Sequence, residues 1–402
     1  MAFSLRMWYS ISKYQRKDLL PSDIGPAVYG LNLMKEMLKQ KRNLILLCWP
    51  IGFLCYILCK NNREIAEYVF ARGIYKVYSW IFSHISGIFP FSIGEFLLIL
   101  VCILAAAFPI ITLIFVIRSK HKLITFLSSL RYLFICVGVI FLWFMIGSGT
   151  NYYRYEFSSF SGLTIQKSTV DELYELCLEI AEHANEARAE LNIEDSTPFT
   201  SKLSNSERAK EAQAAMEKLS EKYEVLQGYY PKAKSVLLSR VLSEFNITGF
   251  YFPWTVEANV NADIPDYNRG AVSCHELSHL RGFMREDEAN FIGYMACIGS
   301  DCPELRYSGY MLALVYAGNQ LYDADKTKYS ELWSTYCEGI KIDFSENSKY
   351  WKQFKDTTLS KAGETMNNTY LKINSVEDGT KSYGRMVDLL LAERRKRLGE
   401  QQ

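Results

Sequence analysis

Histidine is scarce in this sequence. Five occur in 402 residues and none follows His279, so no imidazole downstream of that position can complete a metal site. The ten cysteines contain no CxxC pair, which argues against a thiolate zinc site. Cys48, Cys55, Cys59, Cys102 and Cys136 fall in apolar runs, where cysteine behaves as a small hydrophobe. The remaining five, Cys177, Cys274, Cys297, Cys302 and Cys337, are too few and odd in number for a full disulfide framework. One pair has room to bridge if that half lies outside the cell, and Cys274 reads as packing. A net charge of +1 carries no global signature of nucleic-acid binding. No short basic start is followed by an apolar core, so a cleaved signal peptide is not expected. Internal repeats and low-complexity linkers are absent as well.

The even charge balance conceals a split. Residues 1–149 hold 16 Lys+Arg against 6 Asp+Glu, and residues 150–402 hold 29 against 38. A basic, membrane-facing half followed by an acidic half is the simplest reading. Three apolar runs, Leu44–Cys59, Ile93–Ile117 and Tyr132–Gly149, read as transmembrane helices. Arg63–Phe91 mixes aromatics with single charges, as an amphipathic helix in the membrane interface does. Arg118–Arg131 reads as a short basic loop. With the basic residues 1–43, it places the amino terminus in the cytoplasm and residues 151–402 outside. Asn151-Tyr152-Tyr153-Arg154 reads as an interfacial aromatic belt with an anchoring charge. The expected domains are thus a basic segment 1–43, a membrane domain 44–150 and an exterior domain 151–402. The exterior part reads as mainly α with a small sheet: helices over Val170–Leu191, Ser206–Leu226, Glu286–Ser300, Tyr307–Leu321, Tyr329–Glu338, Lys349–Tyr370 and Tyr383–Arg397, and a β-prone aromatic run at Gly249–Trp254. The closing Arg394-Arg395-Lys396-Arg397 reads as a solvated helix end, and His183 as a surface residue.

Two of the five histidines stand in His275-Glu276-Leu277-Ser278-His279. On a helix, residues four apart share a face, so both imidazoles reach one Zn²⁺ and Glu276 can act as general base at its open position. A catalytic zinc needs a third protein ligand. Arg285, three residues past Gly282, stands where a metzincin-type site has that ligand, and it cannot bind zinc. A carboxylate remains, and Glu286, Asp287 and Glu288 all lie close on the helix that follows the Gly282 turn. Glu286-x-x-Ala289-Asn290 resembles the second-helix pattern of HExxH peptidases with a glutamate ligand, which favours Glu286, with Glu288 as runner-up. Asn290, one turn beyond Glu286, is positioned to hold a ligand histidine from behind. Tyr383 and Arg385 are candidate donors to a developing oxyanion, as are backbone groups in Glu257–Asn261. Zinc at such a site lowers the pKa of water towards about 7.

The run Glu257-Ala258-Asn259-Val260-Asn261, Cys274-His275-Glu276-x-x-His279, Arg281-Gly282-Phe283 and Glu286-Asp287-Glu288-Ala289-Asn290-Phe291 resembles a bacterial membrane family known as domain of unknown function 3810. The likeness takes in Glu95, Asn151-Tyr152-Tyr153-Arg154 and Ser382-Tyr383-Gly384, covering about residues 44–392. Residues 1–43 then look like an extension, and Leu280 departs from the polar residue expected there. The resemblance implies three transmembrane helices followed by a mostly helical, zincin-like α+β exterior domain with a small sheet. The Glu-x-x-Ala-Asn pattern is similar to that of gluzincin-type peptidases. The reading is a membrane-anchored zinc metallopeptidase acting on a peptide or protein substrate, bound to the lipid bilayer and to no nucleic acid. The alternative is a non-catalytic membrane sensor or assembly protein retaining the same fold. An intramembrane protease is excluded, because the pentad lies in a polar context far from the last apolar run.

Overall fold

A computed structural model describes residues 41–373 and 385–400. Three of its helices are long and apolar enough to cross a membrane: Asn43–Asn61, Ile93–Arg118 and Lys122–Gly147. By length and composition this is a membrane protein. The described residues form two compact units, one of residues 41–55 with Leu97–Met145, the other of Tyr56–Phe96 with the described residues from Ile146.

In the smaller unit, α1 (Cys48–Asn61) follows a 3-10 stretch at Lys41–Leu47. Trp49 stacks on Phe134 and Phe141, and its indole N–H donates to the Phe134 carbonyl at 3.0 Å. Gly52 and Gly138 make the close approach possible, since a Cβ at either would run into Phe141 or Trp49. Small residues facing a large ring are a usual way to pack helices in lipid, where hydrophobic burial offers no drive.

The larger unit begins with a π-helical stretch, Ile65–Ile74, running into α2 (Tyr75–Gly87). The apolar helices α3 (Ile93–Arg118) and α4 (Lys122–Gly147) follow, all of them but Ile93–Phe96 and Ile146–Gly147 belonging to the smaller unit. Only three residues separate them, so most of the basic stretch 118–131, expected as a loop, is helix. Pro109 stays inside α3 without ending it, as transmembrane helices tolerate. After a 3-10 turn at Gly149–Tyr153 and the short α5 (Ser158–Ser161), α6 (Val170–Glu190) and α7 (Asn205–Lys222) each open on a capping box, Thr169/Glu172 and Ser204/Glu207. The sequence pattern Thr/Ser-x-x-Glu satisfies two orphan backbone donors in each.

A three-stranded sheet comes next, in the order β1-β3-β2: β1 (Lys234–Ser235), then α8 (Ser239–Glu244), β2 (Gly249–Phe252) and β3 (Glu257–Val260). β2 lies antiparallel to β3, and β1 parallel. The remaining helices are α9 (Asp266–His279), α10 (Glu286–Ile298), α11 (Pro303–Ala324), α12 (Lys326–Thr335), α13 (Glu338–Lys352), α14 (Thr358–Ile373) and α15 (Arg385–Glu400). α9 and α10 pack on each other with α7 and α11 around them, in a core that includes Leu277, Leu280, Phe283, Phe291 and Tyr307.

Three expectations are corrected here. The span Lys349–Tyr370 is two helices, α13 and α14, not one. Asn151-Tyr152-Tyr153-Arg154 is buried in the larger unit rather than spread at an interface. Its arginine is buried because the equally buried Glu67 accepts from Nε and Nη2, at 2.9 and 2.8 Å. The Arg394–Arg397 cluster pairs with α6: Arg394 with Glu175 and Glu179, Arg395 with Glu172, and Arg397 with Glu179. All ten cysteines are free. His183 is partly exposed beside Glu186.

Candidate metal centre

α9 carries the pentad on the face turned to α10. It stops at His279, and the chain turns at Gly282, whose φ of +82° glycine adopts without steric cost. A side chain there would also meet Arg154 and Asn151 at 3.1–3.3 Å. Arg154 Nη1 donates to the Arg281 carbonyl at 2.8 Å and its guanidinium lies 4.2 Å from the Phe283 ring centre. Tyr75 Oη donates to the His279 carbonyl at 3.1 Å. The turn is therefore held from outside by residues 75 and 154, and it delivers Glu286 to the histidines as the first residue of α10.

The three side chains converge. His275 Nε2 lies 3.2 Å from His279 Nε2 and 3.2 Å from Glu286 Oε2, with His279 Nε2 3.8 Å from Glu286 Oε1. Among the described residues this is the one cluster of His, Cys, Asp and Glu with ligand atoms all within 4.8 Å. Both imidazoles are oriented from behind. His279 Nδ1 lies 2.7 Å from the Phe283 carbonyl, which only accepts, so Nδ1 carries the hydrogen. His275 Nδ1 lies 2.8 Å from Asn290 Oδ1, whose amide is fixed by donating to Tyr316 Oη at 3.1 Å. In the neutral rings, each Nε2 then presents a lone pair to the other. Two lone pairs and a carboxylate facing one point need a cation between them, whether proton or metal. This set of two imidazoles and one carboxylate, with His275 and Glu286 only partly buried, suits zinc with an open position.

The electrostatics agree. Burial works against a charge on His275, but the hydrogen bond and charge of Glu286 more than offset it and lift the pKa to about 9. Burial, helped by the charge of His275, pushes His279 down to about 4. Burial would raise Glu286, yet the bond to His275 holds its carboxyl below the usual range. Glu276 is different: burial pushes it up to about 8, against the pull of His275. Its Oε2 is buried with no hydrogen-bond partner among the described residues, an expensive state for a carboxylate oxygen that serves no purpose.

Glu288 is turned elsewhere: its Oε1 accepts from the Phe157 N–H at 2.6 Å, and burial lifts its pKa to about 7. Arg385 Nε donates to Asp287 Oδ2 at 3.0 Å. Tyr383 lies outside the described residues. Several parts of the site were invisible in the sequence. A Cβ at Gly249 would lie 2.6 Å from Glu276 Oε1, and one at Gly293 2.9 Å from the His275 backbone nitrogen, so both glycines are spacing devices for the pentad. Gly249 at the head of a β-prone run was a readable hint. Tyr316, 26 residues beyond Asn290, gave none.

The comparison with known families settles one point. The family model described as "Protein of unknown function (DUF3810)" matches residues 70–391. The chain belongs to this family. The DUF3810 match takes in α3, α4, the sheet and every residue of the cluster, but starts after α1, so the likeness read from residue 44 extends ahead of the matched stretch. No curated protein and no solved structure matches the chain.

Proposed function

We propose that this DUF3810 protein is a membrane-anchored zinc metallopeptidase with His275, His279 and Glu286 as metal ligands and Glu276 as general base. The carrying observation is the convergence of two outward lone pairs and Glu286, with the unpartnered oxygen of Glu276 beside them. Support for a zincin-like fold comes from the short mixed sheet lying against the pentad helix, with antiparallel β2 at its edge. A zinc ion held there supplies Lewis acidity and a water more acidic than bulk water. With zinc held there, Glu276 Oε2 would be the atom that accepts a proton from the attacking water and hands it to the leaving amide nitrogen. His275 and His279 stay in one tautomer through Asn290 and the Phe283 carbonyl. Buried Asp287, paired with Arg385, fixes the first turn of α10 next to Glu286.

The positive-inside rule gives the orientation. Eight Lys+Arg in residues 1–43 and three more at Arg118, Lys120 and Lys122 put those segments in the cytoplasm and the larger unit outside the cell membrane.

The deciding experiment takes the full chain in detergent, measures bound zinc by mass spectrometry and screens a peptide library against the chain and Glu276→Gln. Stoichiometric zinc in both, with cleavage lost only in Glu276→Gln, is expected. Zinc without any Glu276-dependent cleavage would replace the peptidase with a metal-binding sensor or assembly protein.

A further inference from the structure

The helix before α3 has two unlike faces. Inward, Tyr75 and Tyr78 hold the site region, Tyr78 Oη donating to the Pro253 carbonyl at 2.7 Å. On the opposite side of the same helix, Val77, Trp80, Ile81 and Ile85 stand 61, 57, 41 and 51% exposed, and Ile88 just past its end 77%. A second bare patch lies at Leu237, Leu238 and Val241, 71, 48 and 46% exposed. Such contiguous apolar surface calls for a partner.

The chain itself says which partner. The π/α helix starts four residues after α1 ends at Asn61 and stops six residues before α3 starts at Ile93. At about 3.5 Å per extended residue, its ends cannot stray more than roughly 15–20 Å from the two span ends. The second patch is fastened to the start of α3 as well, since Glu95 accepts from the Leu237 and Leu238 N–H groups at 3.0 and 2.8 Å. Both patches thus adjoin the point where a membrane-crossing helix begins. Exposed Lys76 stands next to Val77 in the first patch, as befits an anionic headgroup layer.

We propose that both patches rest on the lipid bilayer and that the metal site therefore acts on extended peptide close to the membrane surface, the juxtamembrane stretches of membrane-anchored proteins. The substrate half of this rests on the peptidase reading; the docking half does not. The sheet sets the height. Glu257 in β3 caps the first turn of α3, accepting from Ile93 N and Gly94 N at 3.0 and 2.7 Å. It pairs with Phe252, and Gly249, which abuts Glu276, is three residues further along β2. At about 3.4 Å per residue, Glu276 lies roughly 10 Å from that cap. A scissile bond five or six residues from a lipid anchor can span such a distance.

Two measurements on the full chain in nanodiscs test this. A photo-crosslinking benzophenone side chain replaces Val77, Ile81 or Leu237, with Tyr322 and Trp333 as exposed controls. Lipid adducts at the first three and at least tenfold fewer at the controls are expected. Lipid-free products, or crosslinks between two copies, overturn the proposal. Fluorogenic peptides coupled to phospholipid through spacers of six or twenty residues are then supplied. Glu276-dependent cleavage of the short-spacer peptide within about twofold of the long one is expected. A short-spacer peptide that resists while the long one is cut overturns the membrane-proximal site. If no peptide is cut with either spacer while the lipid adducts form, the peptidase reading falls and the docking surface stands.

Discussion

Replacing Arg154 by methionine should unfold the larger unit earlier and empty the metal site at once. The guanidinium donates twice to Glu67 and once to the Arg281 carbonyl, all within 2.9 Å, and lies over Phe283. Glu67 is fully buried, so the substitution leaves its charge with Arg72 as remaining guanidinium partner, and Arg72 is 40% exposed. Breaking a buried pair this way costs about 3–5 kcal/mol. The residual Arg72 contact places the expected cost near the lower figure, about 3 kcal/mol. For a unit of about 300 residues, at roughly 2.1 cal/mol/K of unfolding entropy per residue, that is a fall of roughly 5 °C in unfolding temperature, readable by thermal unfolding in detergent. Glu67→Gln combined with Arg154→Met should cost less than the sum of the two single changes by about 1–3 kcal/mol, because the double variant strands no charge. Zinc content should fall in Arg154→Met, since the turn carrying Gly282 loses its outer support. An Arg154→Met protein that unfolds within 2 °C of the parent and keeps its zinc would refute the reasoning.

Glu286→Gln should lower zinc affinity by at least tenfold, whereas Glu288→Gln should leave it within about twofold; competition with a chelator separates them. Gly249→Ala drives a Cβ against Glu276, Val272 and the Asn259 carbonyl, each nearer than 3.0 Å. It should cost about 1–3 kcal/mol in thermal unfolding, as overpacking does, and lower peptide turnover with zinc retained. Glu288 gives a pH signature. Its folded pKa of about 7 stands above the ordinary 4.5, so the native state binds the extra proton between these values. Its contribution to stability is present below about 4.5 and is lost as pH rises through about 7, by at most about 3 kcal/mol. Glu288→Gln should flatten that slope in unfolding curves measured from pH 4.5 to 7.5.

What the sequence disclosed was local. The pentad, the glycine turn and the acidic start of α10 are separated by few residues, so helical spacing and one short turn bring His275, His279, Glu286 and Asn290 into one place. The three apolar helices were readable for the same reason. Long-range partners were not. Nothing in Tyr152-Tyr153-Arg154 distinguishes an interfacial belt from a buried clamp until Glu67, 87 positions earlier, is brought to it. The three acids of α6 that pair with the last basic cluster, Glu172, Glu175 and Glu179, are likewise some 220 residues away. Charges paired across such distances look solvated in a linear reading. The break between α13 and α14 was missed because an amphipathic pattern continues through it.

The clamp between Glu67 and Arg154 also imposes an order on biosynthesis. The glutamate is translated 87 residues before its arginine, and two long apolar helices must be threaded into the bilayer in between. At about 5–20 residues per second, Glu67 waits roughly 4–17 s in a nascent chain with Arg72 as the only one of its two guanidinium partners. The pentad follows only after both have met. A chain stalled or mis-inserted at either helix thus leaves the turn that carries Glu286 without its clamp, and a fragment starting near residue 151 would lack Glu67, the clamp's other half.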